Sequence, residues 1–272
     1  MKILVSVDIE GVAGVVHRDQ TTRGNPEYER ARRLMTAEAN AAIAGAFAGG
    51  ATDVAVNDSH GDFRNLLADE LDPRARYLQG KPRELGMMAG VDDGCAAVFL
   101  VGWHAKAGAA GILAHTISSF AFARVLVNGT PVGEAALYGA VAAEFGVPVA
   151  LITGDDAFVA ETSPLFNGVT AVAVKRALGN QVADSLSPRE ACAAIEAGAR
   201  EAAGRAPTLR VAPVERALQV RIHTTTTAMA DLFAVLPIAK RVEAAAIEFT
   251  SPTMRHAIRV LNSLSAMSFS LR

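Results

Sequence analysis

The sequence predicts an α/β fold: a mostly parallel central sheet flanked by helices, with a β-hairpin and a smaller C-terminal α/β part. The first observation is a pair of apolar runs, Lys2–Gly11 and Asp53–Gly61, separated by a segment of helical composition. Strand, helix, strand is a βαβ unit, which implies parallel strands joined by a right-handed crossover. The second observation is the run Ala96–His104, which is almost wholly apolar, as expected of a strand buried on both faces.

The helix between the first two strands is expected over Pro26–Ala48. Proline suits the first turn of a helix, and Gly49–Gly50 provides its end. After the second strand, a mixed polar segment predicts a short helix around Leu66, an extended piece at Arg76–Leu78 and another helix near Glu84–Met88.

The clearest hairpin in the chain is Phe122–Gly133, because Asn128–Gly129 is a favoured two-residue turn between strands. An alanine-rich helix is expected from Glu134 to Phe145, and a strand at Val149–Thr153 follows it. The remaining predicted elements are a strand at Val169–Val174, a helix after Ser187–Pro188, a Pro/Arg linker at Ala206–Val214, strands near Leu218–His223 and Ala244–Phe249, and a helix from Ser251.

The composition indicates a folded globule, since 51% of the 272 residues are hydrophobic and 20% are charged. A net charge of −2 without a basic block argues against a nucleic-acid partner. The most apolar long window, Gly94–His115, is interrupted by His104 and Lys106 and therefore predicts no membrane span.

The two cysteines, Cys95 and Cys192, lie outside any CxxC pattern, which favours free thiols in a reducing compartment. The short apolar stretch before Asp8 makes a signal peptide unexpected. We therefore expect a cytoplasmic protein.

Acidic and histidine side chains follow three of the predicted parallel strands. Asp8 and Glu10 come after the first strand and, as alternate residues of an extended chain, point to the same side. His60 follows the second strand and His104 the third. Because ligands bind outside the carboxyl ends of strands in an open parallel sheet, these side chains are expected to meet. Glu134, at a helix start after a glycine, completes the predicted set.

Carboxylates and imidazoles without cysteine suit a catalytic zinc or manganese centre, and five ligands are enough for two ions that share a bridging carboxylate. Asp8, whose short side chain lies nearest the strand end, is the natural bridge. Two such ions would lower the pKa of a bound water and stabilise a developing oxyanion. We expect one unit over residues 1–272, subdivided, if at all, into a metal-binding α/β part (1–175) and a C-terminal part (176–272).

Other polar residues at strand ends admit two interpretations. Asn57 and Asp58 either orient His60 or close the turn after the strand, and the sequence does not separate these roles. Asp155 and Asp156 fit turn or helix-cap positions better than ligand positions. Lys106 fits a solvated lysine better than a group that binds a substrate carboxylate. Ordinary surface or core positions are expected for His17, His223 and His256.

Five short motifs resemble the DppA family of D-aminopeptidases, the zinc metallopeptidases of family M55. The motifs are VSVDIEG at 5–11, VNDSHG at 56–61, GWHA at 102–105, AHT at 114–116 and PVGE at 131–134. Their order and spacing follow the family, most closely over Met1–Asp156. In the C-terminal third, His223–Thr227 and Phe249–Met254 agree with the family only in outline.

The resemblance implies a catalytic role for His115 and two zinc ions per subunit, with Asp8 as the bridging ligand. It also implies rings of five subunits stacked into a homodecamer, whose inner chamber admits short peptides with an N-terminal D-amino acid. The zinc ligands that it implies are Asp8, Glu10, His60, His104 and Glu134.

Together with the predicted metal site, the resemblance implies a zinc-dependent aminopeptidase that cleaves short D-amino-acid peptides through a metal-activated water. His115 would transfer a proton or stabilise the oxyanion. One alternative is a two-metal hydrolase of another amide or ester bond, although a phosphoesterase would be expected to carry an arginine cluster or a P-loop. The other is a non-catalytic ring protein that keeps the metal for its structure.

Overall fold

Two β-sheets organise the computed structural model of the chain, which describes residues 1–211 and 213–272. The predicted linker Ala206–Val214 includes Ala212, which lies outside the described residues. In chain order, the strands of the described residues are β1 (Lys2–Val7), β2 (Asp53–Asp58), β3 (Arg76–Leu78), β4 (Cys95–Trp103), β5 (Phe122–Val127), β6 (Thr130–Pro131), β7 (Val149–Asp155), β8 (Thr170–Gly179), β9 (Val182–Ser185), β10 (Leu218–Thr224), β11 (Lys240–Glu243) and β12 (Ala246–Ser251). The α-helices are α1 (Pro26–Ala48), α2 (Glu134–Glu144), α3 (Asp156–Thr162), α4 (Pro188–Arg205), α5 (Thr227–Ala234) and α6 (Met254–Ser268).

The larger sheet has seven strands in the order β3-β2-β1-β4-β7-β8-β9. Every neighbouring pair in it is parallel except β8 and β9, which confirms the predicted α/β fold with a mostly parallel central sheet. β1 lies between β2 and β4, so the ends of these three strands are adjacent. That order decides where the functional side chains meet.

Alternate residues of β1 enter two different cores. Ile3 and Val5 pack with α1 and α4 on one face of the large sheet, whereas Leu4 faces the core that includes α2, α5, α6 and the second sheet. Helices α1 and α4 approach closely because Gly45 lies at their interface, where an added Cβ would stand 2.2 Å from the carbonyl oxygen of Glu196. The large sheet is therefore covered on both faces, as parallel sheets require.

The second sheet is antiparallel, with the order β11-β12-β10-β5-β6. The predicted hairpin at its edge is confirmed, with Asn128 at φ 49° and Gly129 at φ 81° in the turn between β5 and β6. Both central residues have positive φ, as a two-residue turn of this type requires.

Two predicted helices near the second strand are wrong. The segment around Leu66 is a turn, because the Asp58 carboxylate accepts hydrogen bonds from the backbone N–H groups of Asn65 (2.5 Å) and Leu66 (2.8 Å). Such short side-chain bonds to the backbone compete with helix formation. The helix expected near Glu84–Met88 is a single 3₁₀ turn at Gly86–Met88. Four short elements, α3, β9, α5 and β11, were not predicted.

A domain boundary between residues 175 and 176 would fall inside β8. Both sheets also combine strands from the two sides of that position, since β9 joins the large sheet and β5 and β6 join the second. The subdivision therefore stays a prediction, and the strand order favours one continuous unit. None of the helices in the described part of the chain is both long enough and apolar enough to cross a membrane.

Candidate metal centre

The five predicted ligands and His115 lie together at the carboxyl edge of the large sheet. Asp8 and Glu10 follow β1, His60 follows β2, His104 follows β4, and Glu134 is the first residue of α2. Asp8, Glu10, His104 and Glu134 are each at most 4% exposed. Polar groups this deeply buried need partners, because unpaired burial of charge is costly.

Asp8 faces two different imidazoles with its two carboxylate oxygens. Its Oδ1 lies 3.2 Å from His60 Nδ1, and its Oδ2 lies 3.5 Å from His104 Nε2. Glu10 Oε2 lies 3.1 Å from the same His60 nitrogen. Glu134 Oε1 lies 3.5 Å from His104 Nε2 and 3.7 Å from His115 Nε2.

The two separations of 3.5 Å from His104 Nε2 match those of atoms that share a tetrahedral zinc ion, and the other three, 3.1–3.7 Å, lie within about 0.2 Å of that range. With zinc–nitrogen and zinc–oxygen bonds of about 2.0–2.2 Å, two ligand atoms on such an ion lie about 3.3–3.5 Å apart. His104 Nε2 is also buried without a hydrogen-bond partner among the described residues. A buried nitrogen that only faces carboxylate oxygens at 3.5 Å fits a metal ligand better than a hydrogen-bonded imidazole.

Each imidazole has its other ring nitrogen fixed by a backbone carbonyl. His60 Nε2 donates to Thr21 (2.8 Å), His104 Nδ1 donates to Ala105 (3.0 Å) and His115 Nδ1 donates to Leu113 (2.9 Å). A carbonyl oxygen can only accept, so the anchored nitrogen carries a proton. The opposite nitrogen faces the cluster, where it would offer its lone pair to a bound metal, and this is the usual arrangement of metal-binding histidines.

The charges of the cluster are strongly interdependent. Burial raises the pKa of Asp8 to about 7, and the Glu10 carboxylate adds to that rise. Burial opposes ionisation of Glu10 and Glu134 too, but the charges of His60 and His104 outweigh it and lower both pKa values. Burial would lower the pKa of His104, but Glu134 and its neighbours raise it to about 10. Three buried carboxylates thus require positive charge, which protons or a metal dication supply.

His115 differs from the other two histidines of the cluster. Its side chain is 20% exposed and lines a cavity of about 770 Å³ above the carboxylates. Burial, followed by the charge of His104, lowers its pKa below the ordinary value. Its ring stacks on that of His104, with centroids 4.1 Å apart and planes 11° from parallel. This geometry leaves His115 Nε2 accessible from the cavity and close to Glu134.

The backbone segments that follow β1 and end β4 pack so closely that Gly11 has no room for a side chain. Gly11 donates its N–H to the carbonyl oxygen of Gly102 at 2.8 Å, and a Cβ on Gly11 would stand 2.0 Å from the carbonyl oxygen of Trp103. The Trp103 indole in turn donates to the Ser6 carbonyl at 3.0 Å. The ends of β1 and β4 are therefore held together, and this places Asp8 beside His104.

The remaining strand-end residues have structural partners. Neither Asn57 nor Asp58 bonds the His60 imidazole, and both instead hold the following turn through Arg83, Asn65 and Leu66. Asp155 caps α3 by accepting from Phe158 N–H at 2.7 Å, and Asp156 accepts from Ala157 N–H at 3.0 Å and Ala177 N–H at 2.8 Å. Lys106 is paired with Glu161 at 2.8 Å.

Two buried charges that the sequence reading missed hold the loop that carries Glu10. Lys175, 3% exposed on β8, donates to the carbonyl oxygens of Glu10 (2.6 Å), Val12 (2.8 Å) and Val15 (2.5 Å). Glu38, on α1, accepts from Ala13 N–H of the same loop at 2.8 Å. The only sequence signal was a lysine and a glutamate within otherwise apolar faces.

We expect the E38Q variant to be more stable, relative to the unsubstituted protein, at pH 8 than at pH 5. Burial raises the pKa of Glu38 from 4.5 to about 7, so its contribution to folding is present below 4.5 and is lost as the pH rises through 7. From pH 5 to pH 8, the free energy of unfolding of E38Q should rise by about 2.5 kcal/mol relative to that of the unsubstituted protein. Urea titrations at both pH values measure this, with E29Q on the exposed face of α1 as the control. A difference that does not change with pH would contradict the assignment.

Comparisons with known proteins agree with this geometry. The family model described as D-aminopeptidase matches residues 1–263. A D-aminopeptidase of Bacillus subtilis strain 168 is 38% identical over 191 residues, which cover 70% of this chain and 69% of that protein. The solved structure of the Zn-dependent D-aminopeptidase DppA from Bacillus subtilis, described as a self-compartmentalizing protease, superposes with a TM-score of 0.94 at 29% identity. That match covers 99% of this chain and 98% of the other.

Proposed function

The chain belongs to the D-aminopeptidase family, and on this premise we propose that it is a zinc-dependent aminopeptidase that hydrolyses short peptides with an N-terminal D-amino acid. The observation that carries the proposal is the placement of Asp8, whose two oxygens face two imidazoles, each with its other nitrogen bound to a backbone carbonyl. This arrangement favours metal chemistry over a network of hydrogen-bonded charges.

The proposed ligands divide into two groups that share Asp8. His60 and Glu10 form one group with Asp8 Oδ1, and His104 and Glu134 form the other with Asp8 Oδ2. This division supports two zinc ions per subunit, which His60 and Glu10 on one side and His104 and Glu134 on the other would hold together with Asp8. Zinc bound there would lower the pKa of a coordinated water and polarise the scissile carbonyl.

The chain's own residues supply the remaining chemistry. His115 presents Nε2 to the cavity while the Leu113 carbonyl fixes the proton on Nδ1, so the ring is oriented to accept or return a proton during amide cleavage. Glu134 accepts from the Ile117 N–H at 2.5 Å, which fixes its carboxylate beside both His104 and His115. The floor of the cavity, where zinc would be held, also suits the free amine of a peptide.

The assembly is proposed to be a homodecamer of two stacked pentameric rings with the cavities facing an inner chamber. The self-compartmentalizing character of the DppA relative supports this proposal. Native mass spectrometry should give a mass ten times that of the 28.3 kDa chain. A monomer or dimer would contradict it. We also propose a cytoplasmic location, since the free cysteines Cys95 and Cys192 suit a reducing compartment.

The proposed activity is tested by incubating zinc-loaded protein with D-Ala-D-Ala and with L-Ala-L-Ala and measuring released alanine. Cleavage of the D-dipeptide, little cleavage of the L form, and loss of activity on chelation are expected. Cleavage of the L form alone would contradict the stereochemical assignment. Failure to cleave either dipeptide while zinc is bound would favour a hydrolase of another bond or a structural metal.

A further inference from the structure

The cavity above the carboxylates has charges of opposite sign in its lining. Asp8, Glu10 and Glu134 contribute negative charge, whereas three cationic side chains, Lys81, Arg83 and Arg259, also line it. A peptide with its amine at the metal-binding cluster could bring its carboxylate toward one of these cations. The partners of each cation decide which one is available.

Two of the three cations are already engaged. Arg83 donates to the Asn57 side chain and, at 2.6 Å, to the Asp58 carbonyl, and it packs over the Phe63 ring at 4.1 Å. These contacts fix the guanidinium to the end of β2. Arg259, on α6, lies 3.4 Å from the Glu84 carboxylate, which compensates its charge.

Lys81 is different, because its ammonium has no hydrogen bond or ion pair with any group of residues 1–211 and 213–272. Its contact is with the face of the Phe63 ring, 4.7 Å from the centroid. Burial lowers the pKa of Lys81, and the attraction of Asp62 and Glu134 offsets this only in part. The side chain is nevertheless open to solvent, as a group that binds an incoming substrate must be.

The Phe63 ring that supports Lys81 is held in place by the turn that carries the proposed ligand His60. Phe63 N–H donates to the His60 carbonyl at 2.8 Å, so one tight turn separates the His60 ligand from the ring that supports Lys81. Phe63 is buried at φ 61°, an unusual conformation for a large residue, and the turn is held by Asn65, which donates to the His60 carbonyl at 2.7 Å. The Phe63 ring is thus a fixed platform beside the catalytic cluster.

We propose that Lys81 binds the C-terminal carboxylate of the substrate and makes the enzyme selective for dipeptides with a free C-terminus. This inference rests on the proposed function, which places the amino end of the peptide at the carboxylate–imidazole cluster. An extended dipeptide spans about 7 Å, and Lys81 lines the same cavity as Asp8, Glu10 and Glu134. Longer peptides or amidated dipeptides lose this contact.

The test compares D-Ala-D-Ala with its C-terminal amide, D-alanyl-D-alaninamide, using the zinc-loaded protein. A charge-assisted bond to the carboxylate should make kcat/KM about 10- to 100-fold higher for the free acid. K81M should reduce kcat/KM for the acid, mainly through KM, and leave the amide unchanged, which also shows that the variant is folded. K81R should keep most of the preference. R259M tests the rival cation and should retain it.

Four results would overturn the inference. They are equal cleavage of acid and amide by the unsubstituted protein, a K81M loss that is the same for both substrates, K81R behaving as K81M, and loss of the preference in R259M but not in K81M. If the unsubstituted protein cleaved neither substrate, the proposed function would fall and the inference with it. Failure of the inference alone is recognised by active enzyme without a carboxylate preference.

Discussion

Replacing Asp8 by asparagine is expected to lower kcat/KM by about 1,000-fold or more and to remove zinc from the protein. Loss of a residue that merely orients a metal ligand already costs about 10- to 100-fold in affinity or activity, and Asp8 faces both imidazoles directly. An amide presents only one oxygen and cannot bridge two groups of ligands. Zinc content by elemental analysis and peptide hydrolysis measure the effect together.

The same substitution should leave the metal-free chain equally or more stable at neutral pH. Burial raises the pKa of Asp8 to about 7, so the carboxylate's contribution to folding falls as the pH rises from 3.8 to 7. Asparagine has no carboxyl group to ionise, so D8N does not lose stability over this pH range. D155N is the matched control, since Asp155 also ends a parallel strand but caps α3. It should keep zinc and lose about 1–2 kcal/mol of stability, because asparagine can still cap α3 but has no second oxygen for the Ile112 N–H. Retention of zinc and activity by D8N would contradict the bridging role.

Replacing His115 by glutamine is expected to lower kcat by about 100- to 10,000-fold while zinc stays bound. Its Nε2 faces the cavity, and the five proposed ligands would hold zinc without it. The alternative is that His115 is itself a metal ligand. Nitrogen and oxygen atoms of His104, His115 and Glu134 lie within 4.8 Å of one another, close enough to share an ion.

Zinc content distinguishes the two roles of His115. If His115 is catalytic, H115Q should bind the same number of zinc ions with unchanged affinity. If His115 is a ligand, H115Q should lose one zinc ion or bind zinc more weakly. H256Q is the control, because His256 is bonded to Ser251 at 2.8 Å and does not line the cavity. That variant should keep both zinc and activity. Loss of zinc in H115Q would move His115 from the proposed catalytic role to the ligand set.

The strand ends of the site were predictable because local patterns determine them. β1, β2 and β4 read as apolar runs, and a parallel sheet brings their carboxyl ends to one edge. The position of Glu134 followed only from a glycine before a helix, and the structure places it at the N-terminus of α2. The order β2-β1-β4 puts Asp8 between His60 and His104. It depends on the crossover connections, so no single segment of the sequence predicts it.

Non-local features escaped the sequence analysis. Lys175 and Glu38 hold the Glu10 loop from β8 and α1, elements far away in the chain, so no local pattern joins them. The second sheet pairs β5 with β10 across a long stretch of sequence. The helix predicted around Leu66 failed because Asp58 bonds the backbone of that turn. α6, which was predicted only as a final helix, supplies a wall of the cavity.

We propose that Asp8, Glu10, His60, His104 and Glu134 hold two zinc ions. The most direct measurement is an anomalous difference map at the zinc absorption edge from crystals of the zinc-loaded protein. Two peaks are expected, one within bonding distance of His60 and Glu10, the other within bonding distance of His104 and Glu134, and both touching Asp8. A map without a peak in this cluster, or with zinc bound away from Asp8, would contradict the claim.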